Sequence, residues 1–236
     1  MLAYSVPYEL LARTLTRPIL RLERSDVASI YRAFVARMNP RPVYEGLDNL
    51  PAHTRFILAA NHYQRKGLWI AHAASALACA MEDRYTGNPP IRYVVTANWP
   101  KWRIGPVTIP SPGDILLPRV AHAVWCYAVP FAGANPAATA GTLRRLIADA
   151  RSLDCPIGLF PEGTEAVAGH IEPPLPGVGR FLSLMASRGW SVVPAAIFEA
   201  GGFVIRFGRE LTPDTVRRHA DPALHVMTRI ASLLEP

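Results

Sequence analysis

The stretch RFILAANHYQRKG, residues 55–67, decides the fold that this sequence predicts. Its first half is an uninterrupted apolar run with the length of a buried strand, and the asparagine and histidine that follow it indicate a turn. A helix is expected next, from about residue 68 to 81. Strand, turn and helix in this order form the first half of a βαβ unit, so the histidine is expected at the carboxyl end of a buried strand.

Similar apolar runs recur along the chain and alternate with helical patterns. Further strands are expected within VYEGL, PIRYVVTAN, CPIGLF, SVVPAAIF and GGFVIRFGREL, and further helices at about residues 137–153, 177–188 and 213–234. This alternation predicts an α/β fold with a mixed, largely parallel central sheet flanked by helices. We expect a single domain over residues 41–236, preceded by an N-terminal helical region, residues 1–40, packed on or near the membrane.

Composition narrows the partners of the chain. Half of its 236 residues are hydrophobic and 18% are charged, which is typical of a protein at a membrane surface rather than one with many spans. The net charge of +7 attracts anions such as phosphorylated ligands and lipid headgroups. Nucleic acid is not expected, because the basic residues are scattered and no nucleic-acid-binding motif occurs. The three cysteines are far apart and predict neither a disulfide framework nor a zinc site.

Two segments are candidates for contact with a membrane. Residues 8–38 form a helical region interrupted near Pro18, which either packs on its own domain or lies on anionic lipid. Residues 98–118 are proline-rich and irregular, and their Trp99 and Trp102 either sit at the membrane interface or fold back into the core. No secretory signal pattern and no unbroken apolar span is recognisable. We therefore expect a cytoplasmic protein, peripheral on the inner membrane face.

Three short blocks of sequence occur in a distinctive order and at a distinctive spacing. NH follows one strand, FPEGT (residues 160–164) follows another, and VVPAAIF (residues 192–198) is a third. Over about residues 43–211 they resemble the glycerolipid acyltransferase family, the lysophosphatidate and glycerol-3-phosphate acyltransferases, which carry NH-x4-D, FPEG and VPxxI blocks. The resemblance implies an acyltransferase that uses acyl-CoA or acyl carrier protein as co-substrate, with no cofactor and no metal.

The resemblance also assigns roles to individual residues. His62 would be the general base that removes a proton from an acceptor hydroxyl, which then attacks the thioester. Imidazole suits this task because it titrates near neutral pH, whereas a hydroxyl alone is a poor nucleophile. Glu162 would contact the hydroxyl groups of the acceptor, and Gly163 would let the backbone come close. The other expected substrate contacts in and beside these blocks are Asn61, Gln64, Arg65, Lys66, Pro161, Thr164 and Glu165.

One departure from the family pattern concerns the support of the histidine. The aspartate of NH-x4-D is replaced by Gly67. Loss of an orienting carboxylate costs a serine protease roughly four orders of magnitude in rate. The imidazole would then need a substitute partner, so we expect Gly67→Asp to raise turnover if the ring is under-supported. The candidates for that partner are a backbone carbonyl and the side chains of Gln64, Asp114 and Glu165.

A second departure concerns phosphate. Glu165 stands where the family has an arginine, and a carboxylate there would repel a phosphorylated acceptor. Arg65 and Lys66, beside the histidine, could instead supply positive charge for the acceptor or for the phosphates of CoA. Both are otherwise explained as solvated charges of a turn. The remaining histidines are expected at the surface or in the core, and His170 lies nearest to the blocks.

Three hypotheses follow from these patterns. The first is an acyltransferase that moves a fatty acyl group from acyl-CoA or acyl carrier protein to a hydroxyl of a lysophospholipid-like or other alcohol acceptor. The second is a non-catalytic relative that binds lipid or acyl carrier without turnover, which Gly67 favours. The third is an acyltransferase for a non-phosphorylated acceptor, which Glu165 favours.

Overall fold

A computed structural model of the chain describes residues 4–96, 102–104, 107–109, 112–129, 136–150, 152–163 and 171–235. The helices are α1 Tyr8–Arg21, α2 Val27–Ala36, α3 Ile70–Arg84, α4 Pro112–Ala123, α5 Pro136–Asp149, α6 Val178–Ala186, α7 Pro213–Arg218 and α8 Pro222–Ser232. The strands are β1 Val43–Glu45, β2 Phe56–Ala60, β3 Arg92–Thr96, β4 Trp102–Ile104, β5 Val107–Ile109, β6 Tyr127–Val129, β7 Ile157–Leu159, β8 Ser191–Glu199 and β9 Phe203–Phe207.

Seven of these strands form one sheet in the order β1-β9-β8-β2-β7-β3-β6. Every neighbouring pair is parallel except β8 and β9, which form an antiparallel hairpin. The predicted α/β fold with a mixed, largely parallel sheet is therefore confirmed. Strand β2, the expected start of the site, lies between β7 and β8 near the middle of the sheet.

The sheet is covered on both faces, which explains why β2 is apolar throughout. Alternate side chains of a strand point to opposite faces. Phe56, Leu58 and Ala60 accordingly join the core cluster that includes residues of α2 and α3. Ile57 and Ala59 join the cluster that includes residues of α5, α6 and α8. All five residues of β2 are buried, as expected for a central strand of a sheet with two helical layers.

The N-terminal helices differ from the prediction at their break. Helix α1 continues through Pro18 and ends at Leu22, which takes a left-handed conformation with φ 55° and donates its N–H to the Pro18 carbonyl. A proline near the end of a helix removes one N–H, but it leaves the closing turn intact. Helix α2 then starts behind Asp26, whose side chain accepts a hydrogen bond from the Ser29 N–H. The domain boundary near residue 40 remains a prediction.

Two other segments are more structured than expected. Part of the segment predicted to be irregular forms the antiparallel pair β4–β5 and the start of α4. Trp99 and the side chain of Trp102 lie outside the described residues. The closing helix is divided into α7 and α8, because Asp221 caps a new helix that has Pro222 at its first position. Within the described part of the chain, no helix is both long and apolar enough to cross a membrane.

His72 lies in the first turn of α3 and predicts a pH dependence of stability. The residue is buried, its Nδ1 accepts the Trp69 N–H at 3.1 Å, and burial lowers its pKa. An unfolded histidine binds a proton near pH 6.5, so on acidification the unfolded state takes up this proton first. The free energy of unfolding is expected to fall as the pH drops below about 6.5. Above that pH, this group should not make the free energy of unfolding depend on pH.

Denaturant titrations at pH 7.5 and pH 5.5 test this expectation. His72→Gln keeps an acceptor for the Trp69 N–H but cannot titrate, so its loss of stability on acidification should be smaller than that of the wild type. The pKa of His225 is also lowered, by burial and then by the charges of His219 and Arg229. His72→Gln/His225→Gln should therefore lose still more of the pH dependence. An unchanged slope in His72→Gln would contradict the assignment.

Candidate active site

The three sequence blocks meet at one edge of the sheet. Strand β2 pairs in parallel with β7 on one side and with β8 on the other. Because parallel strands end at the same edge, the NH turn after β2, the FPEG turn after β7 and the end of β8 converge there. The structure thus brings His62 and Glu162 into direct contact, since the His62 N–H donates to Glu162 Oε2.

Asn61 is built into the sheet. Its side chain is 3% exposed, and the amide makes two hydrogen bonds with the backbone of Ile197. Asn61 Nδ2 donates to the Ile197 carbonyl at 2.9 Å, and the Ile197 N–H donates to Asn61 Oδ1 at 2.7 Å. The amide therefore continues the ladder between β2 and β8 past the end of β2. These two hydrogen bonds fix the turn that carries His62, and the expected substrate contact of Asn61 remains a prediction.

Glu162 is a buried residue that binds the backbone of His62. It is 1% exposed. Its Oε2 accepts the backbone N–H of His62, and its Oε1 accepts the backbone N–H of Glu172 at 2.8 Å. Burial raises the pKa of this carboxyl, and the two N–H donors oppose that rise. These contacts hold the main chain of His62 against the segment beginning at residue 171, and the expected contact with acceptor hydroxyls remains a prediction.

The FPEG turn is tightly packed, which explains its glycine. Gly163 has φ +62°, and its N–H donates to the Phe160 carbonyl at 3.1 Å. A Cβ at this position would lie 2.0 Å from Leu175 Cδ1. Pro161 is buried, and its carbonyl accepts the Leu175 N–H at 2.9 Å. Thr164, Glu165 and His170 lie outside the described residues, and so does the side chain of Asp114.

The ring of His62 faces an apolar cavity of about 440 Å³. The ring is partly exposed and packs edge-on against Phe160, with centroids 5.6 Å apart. Helices α1, α2 and α3, strand β3 and residues 124–126 supply most of the remaining wall. The lining residues from α1, α2 and α3 include Leu11, Leu15, Ile30, Phe34, Ile70 and Ala74. A polar, titratable ring therefore stands at the wall of a space that suits a hydrocarbon chain.

Arg65 is committed to a partner that the sequence did not reveal. Its guanidinium forms an ion pair with Glu199 at the end of β8, with Nε 2.6 Å from Glu199 Oε2, and its side chain is 6% exposed. The Tyr63 hydroxyl donates to the same carboxylate at 3.0 Å. Hydrogen bonding from Arg65 lowers the pKa of Glu199. The ion pair of Arg65 with Glu199 links the loop to β8, and the expected role of Arg65 at substrate phosphates remains a prediction.

Lys66 and Gln64 complete the loop. Lys66 is exposed at the turn, and Gln64 is partly exposed. Arg65 and Lys66 were both predicted to supply positive charge. Of the two, Lys66 is the one whose side chain is exposed to an anion in solution. Glu199 stands 134 positions from Arg65 and belongs to none of the three blocks. Its only sequence signal is its place at the end of the apolar run of β8.

Gly67 occupies a two-residue turn between Arg65 and Leu68. These two residues form an antiparallel bridge, with the Leu68 N–H donating to the Arg65 carbonyl at 2.9 Å. Gly67 has φ +81°, the left-handed region that glycine enters at little cost. Its carbonyl accepts the Tyr4 N–H at 2.9 Å, which links the loop to the N-terminal segment. The turn therefore favours glycine at this position.

This geometry changes the expected effect of Gly67→Asp. A side chain at φ +81° is strained, so we expect this substitution to lower the free energy of unfolding by about 1 kcal/mol. It should not raise the rate of any reaction at His62. Denaturant titration and activity measurement on the same preparation check both statements. Gly87→Asp is a matched control for strain, because Gly87 has φ +87° and lies outside the site. A rise in turnover would contradict the structural explanation of the glycine.

Comparison with known proteins identifies the fold. No protein-family model matches the chain, and no curated protein matches it. Among solved structures it is similar to the 1-acyl-sn-glycerophosphate (LPA) acyltransferase PlsC from Thermotoga maritima, with a TM-score of 0.57 and 14% identity over 96% of this chain and 90% of that chain. The chain therefore has the fold of a glycerolipid acyltransferase, as the resemblance of the three blocks implied. At this identity the likeness concerns the fold alone.

Proposed function

We propose that the chain is an acyltransferase that moves a fatty acyl group from a thioester carrier, acyl-CoA or acyl carrier protein, to a hydroxyl of a lipid or other alcohol acceptor. The observation that carries this proposal is the His62 ring at the wall of an apolar cavity of about 440 Å³, on a turn held by Glu162 and Asn61. The shared fold with an acyltransferase supports the same conclusion.

The reaction follows from the chemistry of these groups. His62 accepts the proton of the acceptor hydroxyl while the hydroxyl oxygen attacks the carbonyl carbon of the thioester. The C–S bond then breaks, and the leaving thiolate takes the proton from the imidazolium. The acyl chain occupies the apolar cavity during this step, so the carbonyl carbon is held near the ring. Glu162 acts as a positioning residue, because its carboxylate holds the backbone of His62.

The direct test uses purified protein with acyl-CoA or acyl carrier protein and a panel of alcohol acceptors, read by mass spectrometry. A new ester is the expected product. Acceptors with and without phosphate should be compared, because the ion pair of Arg65 with Glu199 leaves fewer positive charges for phosphate than the sequence predicted. A strict requirement for phosphate would exclude the non-phosphorylated acceptors of the third hypothesis.

A second candidate function is lipid binding without turnover. It is favoured by Gly67, because the residue at this position offers no carboxylate where the family places one. Under this hypothesis the same apolar cavity holds an acyl chain, but the bound thioester remains intact. Retention of intact acyl-CoA by the protein, with no ester formed with any acceptor in the panel, would support it and contradict the first proposal.

The cavity predicts chain-length selectivity. Ala74 lies on α3 and lines the cavity, so Ala74→Phe should fill part of the space. We expect kcat/KM to fall about tenfold with a palmitoyl donor and to change by less than about twofold with a butyryl donor, because only the long chain needs the whole cavity. Ala148→Phe, on the exposed part of α5, is the matched control. An equal loss with both donors would contradict an acyl-binding cavity.

We infer that the protein acts on the cytoplasmic face of a membrane, with the N-terminal helical region, residues 1–40, as the contact. Support comes from exposed apolar side chains on and beside α1, at Tyr8, Leu20 and Leu22, and from Trp69 near the cavity, which packs edge-on against Tyr8. Basic residues on the same helix suit anionic headgroups. Co-flotation with anionic vesicles should be reduced in Leu20→Glu/Leu22→Glu, and unchanged flotation would contradict this contact.

A further inference from the structure

A second cavity, of about 450 Å³, lies beside the edge strand β6 and is lined by charged residues. Its wall contains Arg92 from β3, Tyr127 from β6, and Arg145 and Asp149 from α5. The other polar side chains of the lining are Arg24, just before α2, His122 of α4, Trp125, just before β6, and Thr142 of α5. The cavity shares Cys126 with the apolar cavity, but it does not include His62 among its lining residues in the described part of the chain.

Two guanidinium groups face one indole ring in this cavity. The guanidinium carbon of Arg24 lies 4.2 Å from the centroid of the Trp125 ring, and that of Arg92 lies 5.2 Å from it. Trp125 is held in place by its indole N–H, which donates to the Ser25 carbonyl at 3.0 Å, and its backbone is in the left-handed region with φ +63°. The fold therefore fixes two like charges around one ring, and their mutual repulsion favours a counter-ion.

Arg92 has more hydrogen-bond donors than partners. Its side chain is 14% exposed, its Nη1 donates to the Tyr127 hydroxyl at 3.2 Å, and the Asp149 carboxylate is 4.0 Å away. Its Nε is buried and lacks a hydrogen-bond partner among the described residues. Burial raises the pKa of the Cys155 thiol to about 11, and Arg92 opposes that rise, yet sulfur is a weak acceptor. A guanidinium that is 14% exposed and has a buried donor without a partner favours an anion beside it.

The charges of the cavity do not cancel. Three of the described lining residues are arginines, namely Arg24, Arg92 and Arg145, and only one, Asp149, is acidic. The Asp149 carboxylate already accepts a hydrogen bond from the Tyr127 hydroxyl at 2.9 Å. Arg145 donates to the Thr142 hydroxyl at 3.3 Å, and most of its donors have no other partner among the residues that the structure describes. Arg24 and Arg145 take part in no ion pair within the described ranges.

We propose that this cavity binds a phosphate-bearing anion, with Arg24, Arg92 and Arg145 as its ligands. Guanidinium groups bind phosphate oxygens through paired, charge-assisted hydrogen bonds, and three of them around one space suit a diphosphate better than a single carboxylate. The volume is sufficient for a ligand of that size. The phosphate belongs either to a soluble phosphoester or to a lipid headgroup. This site is separate from His62, so it does not depend on the proposed acyl transfer.

Calorimetric titration of the full chain with pyrophosphate, ADP and inorganic phosphate at constant ionic strength tests the soluble source. Flotation with vesicles of phosphatidate in phosphatidylcholine, against phosphatidylcholine alone, tests the lipid source. Arg24→Gln and Arg145→Gln change exposed residues and should preserve the fold. Each should weaken binding of whichever phosphate ligand binds by about tenfold, because each removes charge-assisted hydrogen bonds. Thermal unfolding of each variant shows whether the fold is kept.

Arg144→Gln is the matched control, because Arg144 is exposed on the same helix and does not line the cavity. It should change the dissociation constant by less than about twofold, since it removes the same charge without removing a ligand. Equal weakening by Arg144→Gln and Arg145→Gln would show general attraction to a basic surface and overturn the site. Failure of the wild type to bind any of these phosphates, in solution or on vesicles, would overturn it as well.

Discussion

His62→Ala is expected to lower the rate of ester formation by about a thousandfold, within the range that positioned proton transfer contributes in enzymes. The substitution removes the imidazole but keeps the backbone N–H that donates to Glu162, so the turn should survive. The loss should therefore appear in the chemical step, with little change in thermal unfolding. Single-turnover ester formation, followed by mass spectrometry, measures it.

Two comparisons separate a base from a residue that only shapes the site. His53→Ala, at an exposed histidine outside the cavity, should keep the activity of the wild type. Added imidazole should restore part of the rate of His62→Ala, because a small base can occupy the space left at the cavity wall. Activity of His62→Ala within about tenfold of the wild type would remove His62 from the mechanism, whatever the reaction proves to be.

The fold was predictable where the sequence carries long apolar runs. Strands β2, β7 and β8 are buried over most of their length, so most of their residues are hydrophobic and the runs are recognisable without any structure. Strand β6 has only three residues and lies at the edge of the sheet. Strand β7 is equally short, but its residues are buried, whereas those of β6 are only partly buried, and the sequence does not predict β6 as a strand.

Prolines misled the prediction in the helices. A proline usually ends a helix, so the sequence predicts a break near Pro18. In α1 this proline lies in the last turn, and the helix closes when the Leu22 N–H donates to the Pro18 carbonyl. Pro118 also lies inside a helix, α4. Local propensity sets the cost of these residues, and tertiary packing can outweigh it.

Only the part of the candidate site that lies in the three sequence blocks was predictable. The meeting of His62 with Glu162 follows from the parallel order of their strands. The carboxylate of Glu199 and the wall of the apolar cavity depend on contacts between distant parts of the chain, which no local pattern encodes. The orientation of a side chain is subject to the same limit. The sequence placed Glu162 and Asn61 at the site, but it could not show that both side chains bind main-chain groups.

Glu162→Ala is expected to have the largest effect on stability. The carboxylate accepts the backbone N–H groups of His62 and Glu172, and alanine would leave both donors without this acceptor in a buried place. Leaving a buried donor unsatisfied costs about 1–3 kcal/mol each. Burial raises the pKa of this carboxyl, which indicates that burying its charge is unfavourable. Removing the carboxylate therefore offsets part of that loss. We expect the free energy of unfolding to fall by about 3 kcal/mol.

Glu162→Gln and Glu172→Ala sharpen this test. Glutamine offers one oxygen to one N–H but presents its own NH₂ group to the other, so its loss of stability should be intermediate. Glu172→Ala removes an exposed side chain and keeps the backbone N–H that donates to Glu162, so it should stay within about 0.5 kcal/mol of the wild type. Denaturant titrations should therefore find Glu162→Ala the least stable variant, Glu162→Gln intermediate and Glu172→Ala the most stable. Any other order would contradict the role of the carboxylate as a double acceptor.

The same variants connect stability to the proposed reaction. If Glu162 acts by holding the backbone of His62, Glu162→Gln should lower kcat more than it raises KM, because the base moves while the cavity for the acyl chain remains. A carboxylate that instead bound the acceptor hydroxyls would show its main effect in the KM of the acceptor. A change confined to KM, in protein that remains folded, would return Glu162 to the role that the sequence first suggested.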